Sequence, residues 1–139
     1  MLALSMLTAG CATTQSSTAP SPALSSLAEG RGRVIFYRPS GIFGFGQTAD
    51  ILLDGRKVGT SASGTKFYVD TTPGTHRVTI PNILYSGERV LDVLVREGQI
   101  IYVRTSLGGS AFGGRTNVEL IDGPQGAEES ANLELVAPE

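Results

Sequence analysis

The stretch from Asp50 to Ile80 constrains this chain more than any other, because two tight-turn signals sit inside a run of short apolar segments. Asp54-Gly55 separates Asp50-Ile51-Leu52-Leu53 from Arg56-Lys57-Val58-Gly59-Thr60. A two-residue type I′ turn needs positive φ at both central positions, which Asp tolerates and Gly prefers, so these residues predict a hairpin. Pro73-Gly74 repeats the device between Thr65–Asp70 and Thr75–Ile80, with Pro fixing one φ and Gly supplying the positive one. The stretch therefore reads as strand, turn, strand, strand, turn, strand.

The flanking segments extend the pattern. Arg33-Val34-Ile35-Phe36-Tyr37-Arg38 has apolar residues on both faces of the pleat, which suits an interior strand covered on both sides, and Pro39 stops it. Val90 to Val95 and Gln99 to Arg104 predict another hairpin through the loop Arg96-Glu97-Gly98, and Thr116 to Asp122 predicts a further strand. Helical periodicity is weak throughout, although Gln125 to Leu133 can form one short helix. The expectation is an all-β protein: an antiparallel β-sandwich of about seven or eight short strands with a short C-terminal helix.

Composition narrows the function classes. The 139 residues suffice for one core, and 18 glycines with 7 prolines suit a turn-rich β domain. A net charge of −2 gives no basic surface for nucleic acid. One cysteine excludes an intramolecular disulfide, and with one histidine it argues against a metal site; no cofactor is expected.

The lone cysteine has a purpose of its own. Met1 to Ala9 is small and apolar, and after Gly10-Cys11-Ala12 the composition turns to Thr, Gln, Ser, Pro and Ala. Leu7-Thr8-Ala9-Gly10-Cys11 resembles the bacterial lipobox, whose cysteine receives a diacylglyceryl group before cleavage. Thr8 stands where leucine is usual, and no Lys or Arg precedes the apolar run, which reads as a shortened start. The alternative is a signal removed by a conventional signal peptidase. Residues 1–10 are accordingly read as signal peptide, 11–29 as a lipidated cysteine with a Ser/Thr/Pro tether, 30–122 as the β-sandwich, and 123–139 as a polar C-terminal extension. The tether carries too few bulky apolar residues to offset its ordering entropy.

The strand Arg33–Arg38 with Pro39-Ser40, the Asp54–Gly59 hairpin, Phe67-Tyr68-Val69-Asp70, Pro73-Gly74-Thr75-His76, and Glu97-Gly98 ahead of Ile101-Tyr102-Val103-Arg104 together resemble the bacterial lipoprotein family catalogued as domain of unknown function 2846. The central part is also similar to PEGA-type surface repeats. The resemblance spans Gly30 to about Asp122 and implies an exported, lipid-anchored β domain with no established activity. With Ala12 rather than Asp after the cysteine, resemblance to sorted lipoproteins implies the outer membrane, facing the periplasm.

Residues suited to catalysis occur singly. His76 shares a strand face with Val78 and Ile80 and reads as a half-buried, hydrogen-bonded histidine. No Gly-x-Ser-x-Gly elbow offers a nucleophile, and Gly41 to Gly46 lacks the Lys-Ser/Thr and helix of a phosphate loop. Asp54 is assigned to its turn and Glu128-Glu129 to a polar tail. The more informative feature is a pair of glycine-rich loops, Ser40 to Thr48 and Ser106 to Arg115, which carry Phe43, Phe45 and Phe112. Leaving these rings in water would forgo roughly 1.5–3 kcal/mol each, so they either cap the sandwich or meet a partner. If the loops share one end of the sandwich, the three phenylalanines with Arg38 and Arg115 form an aromatic and cationic patch suited to an envelope protein, a glycan or a lipid headgroup. The function expected is a lipid-anchored, non-catalytic binding or structural module, held to the membrane through acylated Cys11. The alternatives are a small periplasmic hydrolase and a glycan-binding protein.

Overall fold

The computed structural model describes residues 24–41, 46–82, 86–108 and 115–139. They form β1 (Gly32–Arg38), β2 (Ala49–Leu53), β3 (Arg56–Ser61), β4 (Thr65–Thr71), β5 (Gly74–Pro81), β6 (Glu88–Val95), β7 (Ile100–Gly108), β8 (Arg115–Ile121), α1 (Gly123–Ser130) and β9 (Glu134–Leu135). One sheet has the order β8-β7-β1-β4-β9 and the other β3-β2-β5-β6. The fold is the all-β sandwich expected, with one short helix near the C-terminus.

β1 is buried along its whole length, as its two-sided apolar pattern predicts. Val34 and Phe36 point into the space between the sheets, where Phe36 stacks on Phe67 at 5.2 Å between ring centroids. Ile51, Val58, Val78, Ile80, Val93, Val95, Ile101 and Val103 fill the rest of that core. β5 shows the alternation of a half-buried strand, with His76, Val78 and Ile80 inward. On the other face of β1, Ile35 stands between Tyr68 of β4 and Tyr102 of β7.

The hairpin expected at Asp54-Gly55 is present: φ is 51° at Asp54 and 81° at Gly55, and β2 and β3 pair antiparallel across them. The other two expected hairpins are different objects. β4 and β5, joined at Pro73-Gly74, lie in different sheets, as do β6 and β7, joined at Arg96-Glu97-Gly98. Both are corners of the sandwich. Turn chemistry reverses the chain but does not decide which strand lies alongside, and here it carries the chain across the ~10 Å between sheets. As a result β1 takes β7 as a parallel neighbour and β4 takes β9 in the same sense, so the five-stranded sheet is mixed, whereas the four-stranded one is antiparallel throughout.

The C-terminal residues dock on the sandwich. The helix begins two residues earlier than expected, because the Asp122 side chain accepts the Gln125 N–H at 3.3 Å and Pro124 suits a first turn. Its last carbonyls are met from β4: Lys66 Nζ donates to Ser130 O at 2.7 Å and to Ala131 O at 3.3 Å. The chain then adds to β4, with Glu134 N–H on Gly64 O and Val136 N–H on Lys66 O, and crosses to the other sheet, where Glu139 N–H meets Val58 O at 2.9 Å. At the opposite terminus the fold reaches back into the stretch assigned to the tether, since the Ser25 and Ser26 carbonyls accept from Arg33.

Candidate functional site

Cys11, Phe43, Phe45 and Phe112 lie outside the described residues. The strands that lead to the two glycine-rich loops are described. β1 and β7 are adjacent and parallel, so the chain leaves both at the same end of the sheet. Arg38 and Arg115, the two cations assigned to that end, have unlike settings. Arg38 is buried, donates Nη1–H to Gln47 O at 2.8 Å, and has its pKa pulled down by burial. Arg115 is exposed at the start of β8, opposite Gly108, whereas Tyr37, the residue before Arg38, stands opposite Arg104.

On the outer face of the five-stranded sheet, Tyr37, Arg104 and Glu119 stand side by side on β1, β7 and β8. Above them α1 supplies Glu129. Tyr37 Oη–H donates to Glu129 Oε2 at 2.6 Å, and Arg104 donates to Glu129 Oε1 at 2.9 Å and to Glu119 Oε2 at 2.7 Å. Burial and then the Glu129 contact push the Tyr37 hydroxyl well above its ordinary range. The same hydrogen bond, with those from Gln125 and Arg104, holds the Glu129 carboxyl below its own. Glu129 is thus a stabilised carboxylate rather than a proton donor poised near neutrality, and the cluster seats the helix. Gly126 completes the seat. A Cβ there would lie 2.3 Å from Cγ of Tyr102, so only glycine lets α1 approach this closely.

His76 is buried between two turns. Its Nδ1 lies 2.6 Å from Asp54 Oδ2 and its Nε2 lies 2.6 Å from the Thr72 carbonyl oxygen. Both partners are acceptors, so the doubly protonated ring fills both hydrogen bonds, and the His76 pKa is shifted upward. Thr71 Oγ1 stands 3.4 Å from Nε2, which superficially completes an Asp-His-Thr series. In the charged form, however, Nε2–H is committed to Thr72 and the ring has no lone pair to take a hydroxyl proton.

An open groove of about 380 Å³ lies where the two sheets part, between the edges of β3 and β4. Arg56, Val58, Tyr68, Val69, Asp70 and Pro138 line it, with Ser25 and Glu139 contributing from the two terminal segments. Arg33 fixes one wall: Nε and Nη2 donate to Asp70 at 2.6 and 2.8 Å, Nη1 donates to Ser25 O at 2.5 Å, and the guanidinium lies 4.0 Å from the Tyr68 ring centroid. Glu139 accepts from Lys57 at 2.7 Å and from Thr60 at 2.9 Å. Arg56 is exposed, and among the described residues its side chain makes no ion pair or hydrogen bond. Sequence reasoning did not reach this groove, because its walls come from strands of different sheets and from both terminal segments.

Comparison with protein-family models, with curated proteins and with solved structures finds no match to this chain.

Proposed function

We propose that the protein is a lipid-anchored β-sandwich module of the cell envelope, tied to the periplasmic face of the outer membrane by acylated Cys11 and working by binding rather than by catalysis. The observation that carries this reading is the position of Cys11, the one cysteine of the chain, at the break between a small apolar leader and a Ser/Thr/Pro stretch. The likeness to lipid-anchored proteins of domain of unknown function 2846 belongs to the same proposal. The non-catalytic half draws support from the commitments of the titratable groups: His76 holds two turns together, and Glu119 and Glu129 share Arg104.

The test is fractionation of bacterial envelopes that carry the full chain or its Cys11→Ser variant, with a clickable palmitate analogue in the medium. The wild type is expected in outer-membrane vesicles and labelled, and the variant soluble and unlabelled. A variant that stays membrane-bound would overturn the anchor, and wild type recovered with inner-membrane vesicles would overturn the sorting.

A further inference from the structure

The outer edge of β4 is only partly used. Val136 N–H reaches Lys66 O, so the main-chain groups of Lys66 point away from β1; residues two and four further along a strand point the same way. The β1 side agrees, because Arg33, opposite Asp70, sends its N–H to Gln99 O instead of to β4. The N–H and C=O of Tyr68 and Asp70 therefore face outward, past the point where β9 stops at Leu135. Among the described residues no backbone group meets them. They open onto the groove that runs to β3.

We propose that this groove receives an extended acidic peptide segment of a partner protein, which adds as a strand to the Tyr68–Asp70 edge of β4 and sets a carboxylate against Arg56. The inference rests on the binding half of the reading above and is independent of the anchor. Three observations on the groove select this occupant. Unpaired edge groups at the spacing of a strand are met most fully by another strand, as Glu134-Leu135 already does one step along. Side chains turned inward from such a strand would rest on Val69 and Pro138. The groove's two carboxylates are spoken for, Asp70 by Arg33 and Glu139 by Lys57, which leaves Arg56 as the uncommitted charge and an anion as its complement.

The experiment uses the isotope-labelled full chain and blocked heptapeptides of alternating Thr and Val with a central Glu, a central Lys, or the central Glu and every amide N-methylated. Amide hydrogen exchange is read residue by residue. The Glu peptide should slow exchange at Tyr68 and Asp70 by about tenfold or more at millimolar concentration, while the Lys and methylated peptides do not. Arg56→Glu should keep the melting temperature and transfer the preference to the Lys peptide. The proposal is overturned if no peptide protects these amides, if protection falls on another strand edge, or if Arg56→Glu leaves the preference unchanged. Protection that needs no peptide and grows with protein concentration would assign the edge to a second copy and overturn it equally. Each of these failures leaves the membrane fractionation result standing.

Discussion

The imidazole of His76 and the carboxylate of Asp54 meet at 2.6 Å, and through them the β2–β3 turn is tied to β5 and to the corner where the chain changes sheets. Asp54 is itself a turn residue with positive φ, and its second oxygen accepts the Arg77 N–H at 2.8 Å. With Thr72 O on the far ring nitrogen, the charged form of His76 fills both hydrogen bonds and the neutral form only one.

That arrangement sets a pH dependence. Burial pulls the His76 pKa down, but Asp54 and the Thr72 carbonyl outweigh it and the net shift is upward from 6.5. Its contribution to stability is complete below that ordinary value and is lost as pH rises through the raised folded value. For Asp54 the Arg77 N–H and then His76 lower the pKa from 3.8, so its contribution is present above that value and lost as pH falls through the lowered one. The pair is strongest between the two. The difference in urea midpoint between wild type and His76→Gln is therefore expected to be larger near about pH 5.5 than near about pH 8.5. Equal differences at both would mean that His76 is not charged in the fold.

Gly126→Ala tests the seating of α1. The added methyl would meet the Tyr102 ring well inside contact distance, and relieving it means lifting the helix off Tyr37 and Arg104. A loss of about 1–3 kcal/mol is expected, as for other overpacked sites. The check is the midpoint of chemical denaturation, with Arg104→Met as a second variant that weakens the same seat without adding volume. An unchanged midpoint in Gly126→Ala would show that the helix does not need this approach.

Two glycines separate the hairpin from the corner. Gly55 has φ of 81° and Gly74 has φ of 138°, and no neighbouring atom would obstruct a Cβ at either, so conformation rather than space demands glycine. Gly55→Val and Gly74→Val should each cost more than about 1 kcal/mol. Melting at the wild-type temperature would contradict the assignment at that turn.

The parts of the fold legible in the sequence are those decided over a few residues. Asp54-Gly55 can hardly be anything but a tight hairpin turn, and the two-sided apolar pattern of Val34 to Tyr37 marks a central strand whatever flanks it. Strand partners were not legible, because Pro73-Gly74 serves a sandwich corner as well as a hairpin. Nor was the docking of the C-terminus: Glu129 and Glu139 look solvated in sequence and acquire partners only when Tyr37, Arg104 and Lys57 arrive from distant strands. Arg38 shows the converse, since a cation before proline reads as surface yet is buried beside Gln47.

The ion pair of Arg33 and Asp70 gives the sharpest test of how the groove wall is held. Arg33 is 2% exposed and Asp70 23%, so the guanidinium is the desolvated partner and the carboxylate keeps some water. The pair is bidentate, and the Ala28 backbone adds a further donor to Asp70. Removing Asp70 alone strands a buried cation, whereas removing both charges leaves a site that apolar atoms can fill. Asp70→Asn is therefore expected to destabilise by up to about 3 kcal/mol, and the double variant Arg33→Met with Asp70→Asn by less. Only the double variant removes the guanidinium that holds the Ser25 and Ser26 carbonyls, so limited proteolysis before Arg31 should quicken in it well beyond Asp70→Asn. If the double variant is less stable than the single one, or the cleavage rate does not move, Arg33 is not what fastens that segment to the sheet.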